Sequence, residues 1–222
     1  MTLRRAMLLA AGRGERMRPL TLSVPKPLLD VGGKALIVHH LEALARGGVS
    51  EIAINTSWLG EQLRGALGDG AAFGVCIRWF EEGPEPLETA GGIRNALDCF
   101  GDEPFAVVNA DVYCDRPLPP AAPPAGRLAH LVLVPNPPQH PRGDFGFECG
   151  EVRLDGPRRY SFSGIAAYHP ALFRGLAPGR RTLKPVLLRA IHAGLVTGEV
   201  YAGRWADVGT PERLAALDAS LA

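Results

Sequence analysis

Short apolar runs alternate with stretches of helical periodicity along the first half of this chain, and no other feature restricts its fold so strongly. Ala6 to Ala11 is an apolar run closed by Gly12. Leu36, Ile37, Leu41, Leu44 and Ala45 then recur at helical spacing up to Gly47-Gly48, where glycine accepts a left-handed cap. EIAIN (Glu51 to Asn55) is the next β run, Leu59, Leu63 and Leu67 mark a helix stopped by Gly68, and VCIRWF (Val75 to Phe80) is another strand. A helix over Thr89 to Phe100 and a buried strand FAVVNAD (Phe105 to Asp111) continue the series. Runs apolar throughout suit strands covered on both faces. Strands alternating with helices predict βαβ units with right-handed crossovers, hence an α/β chain with a mostly parallel sheet, whose ligands bind at the carboxyl ends of strands.

The second half differs. PLPPAAPPAG (Pro117 to Gly126) reads as a Pro-rich surface connection, followed by strand HLVLV, a Gly-rich hairpin-like region from Gly143 to Gly156, and strand SFSGIAAY. TLKPVLLRAIHAG (Thr182 to Gly194) is a helix whose Pro185 fits its first turn, and GRWADVGTPERLAALDASL closes the chain. This half reads as an extension of the sheet, so residues 1–222 are expected to form a single domain. With 222 residues, 46% of them hydrophobic, the chain can bury its core without staples.

A formal net charge of +1 argues against a nucleic-acid-coating surface or a polybasic membrane anchor. MTLRRAMLLAAG imitates a signal peptide, but Arg13 cuts its apolar segment short, and no run approaches the roughly 20 apolar residues that cross a bilayer. Cys76, Cys99, Cys114 and Cys149 are scattered without a CxxC pair, which predicts free thiols in a reducing cytoplasm.

The basic residues matter locally. LLAAGRGERMRPLTLSVPKPLL (Leu8 to Leu29) lacks the GxxxxGK[ST] of a Walker loop. It also lacks the third glycine of a dinucleotide fingerprint, and Asn55 stands where that motif needs an acid. What remains is a turn after a strand, where Gly12 and Gly14 let backbone amides approach phosphate oxygens and Arg13, Arg16, Arg18 and Lys26 add charge. The plainer alternative is a chain reversal with solvated arginines. Pro25 and Pro27 bias Val24 and Lys26 toward extended backbone, which would preorganise the lysine.

LAAGRGERMRPLTLSVPKPLL resembles the signature of sugar-phosphate nucleotidyltransferases, LAAGxGxRxxPxTxxxPKPL. VGGKALIVHHLEAL, ETAGG, VNADV, RGDF, FSGI and WADVGT follow in that family's order, so the resemblance spans essentially the whole chain. It implies a Rossmann-like three-layer sandwich with a mixed, mostly parallel central sheet, a nucleotide-binding half over 1–116 and a sugar-binding half over 127–222. Length and motifs are most similar to the family's short bacterial members that recycle cell-wall sugars. UTP and a sugar 1-phosphate are thus the implied substrates, in a cytoplasmic monomer or small homo-oligomer.

The resemblance also implies roles. Arg18 and Lys26 are the expected catalytic cations, Ala11, Gly12, Arg13 and Gly14 the phosphate loop, and Glu88, Gly91 and Gly92 the base site. Asp111, ending a buried strand, and Asp207, before the last helix, are the expected ligands of Mg²⁺, which prefers one or two carboxylates plus phosphate oxygens. Their plainer readings are a strand-terminating turn and a turn residue beside the Thr210-Pro211 helix start. For Glu88 to Gly92 the alternative is a helix start capped by Thr89. Asn109, Gly143, Asp144, Glu148, Ser163 and Gly164 are the sugar-side candidates. RGDFGFECG replaces a motif in which relatives carry a second phosphate-binding lysine, leaving Arg142 or Lys184 for that duty. His39, His40 and His192 are expected to pack or face solvent, and Trp58, Trp79 and Trp205 to line core or pocket. A nucleotide-sugar sensor without turnover would have lost the lysine or an acid, and a transferase using another sugar phosphate with GTP or dTTP would keep both.

Overall fold

The computed structural model describes residues 2–221. In chain order the strands are β1 (Arg5–Leu9), β2 (Asp30–Val31), β3 (Lys34–Ala35), β4 (Glu51–Thr56), β5 (Cys76–Glu81), β6 (Phe105–Asn109), β7 (Val112–Cys114), β8 (Ala129–Val134), β9 (Phe145–Glu148), β10 (Glu151–Arg153), β11 (Arg159–Tyr168), β12 (Val196–Val200) and β13 (Trp205–Asp207). The helices are α1 (Leu36–Arg46), α2 (Gly60–Leu67), α3 (Glu88–Ala96), α4 (Lys184–His192) and α5 (Pro211–Leu221).

One sheet of nine strands runs in the order β5-β4-β1-β6-β11-β8-β12-β10-β9. β5, β4, β1 and β6 are parallel, as the βαβ alternation predicts, whereas β11 lies antiparallel to both β6 and β8. The sheet is therefore mixed, and its parallel character is concentrated in the first half. β1 sits between β4 and β6, so successive connections leave it in opposite directions. That reversal opens a crevice at the carboxyl ends of β1 and β6.

Alternation along the strands assigns the two faces. Ala6 and Leu8 of β1 pack with Ile37, Leu41 and Leu44 of α1 and Leu63 and Leu67 of α2. Met7, between them, packs on the opposite face with Ile93 of α3 and Leu187 and Ile191 of α4. The result is helices, sheet, helices: three layers. Leu36, Ile37, Leu41 and Leu44 are all fully buried, each contributing about 1.5–3 kcal/mol by leaving water. A third cluster joins Met17, Leu29 and Val31 of the long loop after β1 to Val208 and Leu217 at the chain's end. It anchors the arginine- and lysine-bearing loop against α5.

Some boundaries differ from expectation. The helix predicted to Phe100 ends at Ala96 and tightens into a 3₁₀ turn, Leu97–Cys99. β6 stops at Asn109, two residues before Asp111. Among the described residues no helix is long and apolar enough to cross a membrane, and the four cysteines are free.

Candidate active site

Beyond β1 the Ala10 amide donates to Asn55 Oδ1 at 2.8 Å, which ties the strand end to β4. The chain then passes Gly12, where no atom lies within 4 Å of the place a Cβ would occupy, so the backbone there faces open space. Gly14 has φ +62°, and a Cβ on it would fall 2.9 Å from Thr21 Cγ2 and 3.2 Å from Lys26 Cβ. Only glycine admits both the left-handed backbone and that close packing. Thr21 Oγ1 and the Met17 amide each donate to the Gly14 carbonyl at 2.8 Å, docking the turn on the segment that carries Lys26.

Pro25 is extended, with ψ 138°, but Lys26, expected to be extended before Pro27, instead opens a 3₁₀ turn (Lys26–Leu28). The turn aims the side chain inward. Lys26 is 7% exposed, and its Nζ lies 2.7 Å from Asp111 Oδ2. An ammonium buried this deeply requires a charged partner. Asp111 supplies it.

The other acid arrives from the far end of the chain. β13 pairs antiparallel with β7, setting Asp207 opposite Val112, and the Val208 amide donates to the Asp111 carbonyl at 3.0 Å. Asp207 Oδ2 is held by Arg213 Nη1 at 2.6 Å. Two bare carboxylates on paired segments would repel one another. Here each has a cation of its own. Beneath β7, His40 is fully buried with Nε2 2.6 Å from the Val112 carbonyl, and burial pulls its pKa down to about 4. A neutral imidazole donating to that carbonyl supports the strand that follows Asp111.

Lys26 and Asp111 border a cavity of about 650 Å³, within the roughly 300–1,000 Å³ typical of small-molecule sites; Asp207 and Arg213 do not line it, whereas Gly209, two residues beyond Asp207, does. The cavity walls include Ala11, Gly12, Arg13, Gly14, Arg16 and Lys26 of the segment after β1, with Asn109 and Asp111 from the end of β6 and the turn beyond it. Its far end is formed by Asn55, Glu82, Glu85, Glu88, Thr89 and Arg180. Glu82 Oε1 accepts from Asn55 Nδ2 at 2.6 Å and its Oε2 accepts from the Leu87 amide at 2.7 Å, while burial still pushes its carboxyl above the usual range. Glu88, at φ +63°, pairs with Arg180 at 2.7 Å, and Arg13 donates to the Pro84 carbonyl.

Several expected site residues lie elsewhere. Arg18 does not line the cavity; it is exposed and faces Glu15 at 3.8 Å. Arg16, the arginine that the motif pattern itself specifies, lines it instead. Gly91 and Gly92 are buried in α3 and take up protein contacts. A Cβ on Gly91 would lie 2.5 Å from the Gly179 carbonyl oxygen, and one on Gly92 2.5 Å from Glu82 Oε1. Thr89 lies inside the helix and makes no side-chain cap. Thr210, by contrast, does cap α5, its Oγ1 3.4 Å from the Arg213 amide.

On the expected sugar side only Asn109 reaches the cavity wall. Gly164, φ +80°, is packed so closely on Asn109 that a Cβ would fall 2.8 Å from Nδ2. Ser163 is fully buried, donating to the Val132 carbonyl at 2.7 Å in the bulge of β11. Gly143, φ +60°, presses on Asn136 and Tyr160, Asp144 accepts from the Phe162 amide at 2.9 Å, and Glu148 pairs with Arg153 at 3.3 Å on the β9–β10 hairpin. Arg142 and Lys184 are exposed and border no part of the cavity. Trp58 is 44% exposed and so belongs to neither core nor cavity, whereas Trp205 Nε1 donates to the Ser163 carbonyl at 2.9 Å. His39 bonds the Val31 carbonyl and stacks edge-on against Tyr113.

Sequence reasoning passed over Glu82, Glu85, Arg180, Gly209 and Arg213. The first had a readable signal: it directly follows β5, at the same sheet edge as the other ligand-facing residues. The rest are brought in by loops and α5, which no periodicity locates.

A family model for nucleotidyl transferases matches residues 5–148. The chain belongs to the nucleotidyl transferase family. It is 48% identical over 219 residues to an N-acetylmuramate alpha-1-phosphate uridylyltransferase of Neisseria meningitidis serogroup B, covering 95% of each chain. It is 30% identical to a mannose-1-phosphate guanyltransferase beta-A of Xenopus laevis over 94% of this chain and 62% of that one. Among solved structures, HddC from Yersinia pseudotuberculosis with GMP-PN superposes with a TM-score of 0.80 at 19% identity, over 99% of this chain and 100% of that one. The fold read from the strands is thus that of nucleotidyltransferases, and the glycine turn, Lys26 and Asp111 all fall inside the matched span of the family.

Proposed function

We propose that this nucleotidyltransferase moves a uridylyl group from UTP to N-acetylmuramate α-1-phosphate, releasing pyrophosphate and a UDP-sugar, in the cytoplasm and in the service of cell-wall sugar recycling. The 48% identity to the meningococcal uridylyltransferase, spread over 95% of both chains, is the observation that carries the substrate assignment. The chemistry rests on the site itself.

The acceptor's phosphate is already an anion, so the enzyme needs no nucleophile of its own. A sugar-phosphate oxygen forms a bond to the α-phosphorus of UTP in line with the α–β bridging oxygen, whose bond to that phosphorus breaks as pyrophosphate leaves. Catalysis is then positioning and charge stabilisation. Bare amides at Ala11 to Gly14 cradle the phosphates, Arg16 faces the β- and γ-phosphates that become pyrophosphate, and Lys26 contacts the α-phosphate. Asn109, between the β1 turn and Asp111, orients the sugar phosphate. The far end, with Glu82 and Glu88, takes the base.

Asp111 and Asp207 suit a magnesium ion by their chemistry: hard oxygens, one just before β7 and one at the end of its partner β13, each with Oδ1 free of hydrogen bonds among the described residues. When bound, the ion supplies charge neutralisation to the phosphate oxygens. A purified sample given Mg²⁺ and a panel of nucleotide and sugar 1-phosphate pairs tests the assignment through pyrophosphate release. Release with UTP and N-acetylmuramate 1-phosphate, at least tenfold above any other pair, is expected. Preferential release with a hexose 1-phosphate and GTP or dTTP would reassign the substrates, and none with any pair would leave a sensor.

A further inference from the structure

The two acids brought together by the β7–β13 pairing, Asp111 on the cavity wall and Asp207 two residues before the wall residue Gly209, each hold a resident cation: Lys26 Nζ on Asp111 Oδ2 at 2.7 Å and Arg213 Nη1 on Asp207 Oδ2 at 2.6 Å. Lys26 belongs to the motif, whereas nothing in the sequence marks Arg213. Its place is nevertheless built. The first turn of α5, capped by Thr210, aims it back at Asp207, and its side chain is 26% exposed. Its second nitrogen, Nη2, fills the room left by Gly209, where a Cβ would lie only 2.5 Å away. Gly209 itself lines the cavity, so the guanidinium is packed between an acid and the cavity wall.

We infer that Arg213 is a positioning residue of the acid end: with Lys26 it neutralises the carboxylates in the nucleotide-free protein, keeps a divalent cation from settling there alone, and makes metal entry depend on the triphosphate. The inference rests on reading Asp111 and Asp207 as metal ligands. One ammonium, one guanidinium and two carboxylates sum to zero charge, so a lone dication finds no net attraction and meets a guanidinium on the very carboxylate it must use. The triphosphate reverses that balance. Metal and nucleotide then bind with positive coupling, and linkage requires the same factor in both directions. Meanwhile the bond to Oδ2 leaves Oδ1 as the oxygen free to face the ion.

Mn²⁺ is a suitable probe, its free concentration read by electron paramagnetic resonance and UTP affinity by calorimetry, with no acceptor present. Wild-type protein without nucleotide should hold Mn²⁺ weakly, and its UTP affinity should rise at least tenfold when Mn²⁺ is added. Arg213→Gln should bind Mn²⁺ at least tenfold more tightly than wild type in the absence of nucleotide, Arg213→Lys should match wild type, and Arg213→Gln with Asp207→Asn should lose the gain. An Arg213→Gln protein, folded by its melting curve, with unchanged or weaker Mn²⁺ affinity would overturn the role of Arg213 while leaving the metal reading intact. Should that variant not fold, a wild type that holds Mn²⁺ as tightly without UTP as with it overturns the inference unaided. A UTP affinity indifferent to Mn²⁺ in the wild type would remove both the metal reading and the inference.

Discussion

Arg16 and Arg18 are two residues apart, yet only the first borders the cavity, because the 3₁₀ turn Glu15–Met17 buries Met17 and sends the arginines beside it in different directions. Removing a charge that stabilises departing pyrophosphate typically costs about 10² to 10³ in rate. Arg16→Ala should lose that much in kcat/KM for pyrophosphate release, while Arg18→Ala should stay within about threefold of wild type. Equal losses would return Arg18 to the site. His40 offers a test of the scaffold. Its folded pKa, lowered to about 4, lies below the usual value near 6.5, so the unfolded chain binds its proton first and the native state loses stability as pH falls from 6.5 toward 4. At about 1.4 kcal/mol per pH unit the loss is about 3 kcal/mol. Urea denaturation of wild type against His40→Gln, which can still donate to Val112, should show a steeper decline for wild type in that window. Parallel curves would mean that the imidazole is not buried neutral.

At the scale of elements, α3 and the segment 179–181 are locked by backbone: the Gly91 amide donates to the Arg181 carbonyl at 3.0 Å and the Arg181 amide to the Leu87 carbonyl at 2.8 Å. A methyl group on Gly91 would meet backbone rather than a flexible side chain, so Gly91→Ala should cost about 1–3 kcal/mol. Displacing that segment moves Arg180, and the KM for UTP should rise with little change in kcat. A variant with wild-type melting and KM would show that the contact yields. The strands and helices of the first half were legible because their apolar runs are long and their punctuation is glycine. β12 was not, since VTGEV is short and half-polar, with Gly198 pressed on Val152 and Leu131. β7 and β13 are shorter still and exist only as partners of one another. The end of the cavity lined by Ala11 to Arg16 and Lys26 was readable, Arg18 apart, because one contiguous motif makes it. At the other end only Glu88 was read from the sequence; Glu82, Glu85, Arg180 and, beside the acids, Arg213 were not, because they arrive only through tertiary packing.

For the whole molecule, nine strands in one sheet set β6 beside β11, so the first and second halves of the chain share one sheet with the crevice at the strand-order reversal. The long loop after β1 is fastened to α5 through Met17, Val31, Val208 and Leu217, which brings residues from both ends of the chain to one cavity. The account depends on Lys26 and Asp111 meeting there as working groups. Steady-state pyrophosphate release by Asp111→Asn, measured beside its melting temperature, tests this most directly, since asparagine keeps the shape and an oxygen for Lys26 Nζ. Turnover should fall by at least about 10² in a protein that still melts cooperatively as a folded domain; an Asp111→Asn enzyme with wild-type turnover would contradict the account.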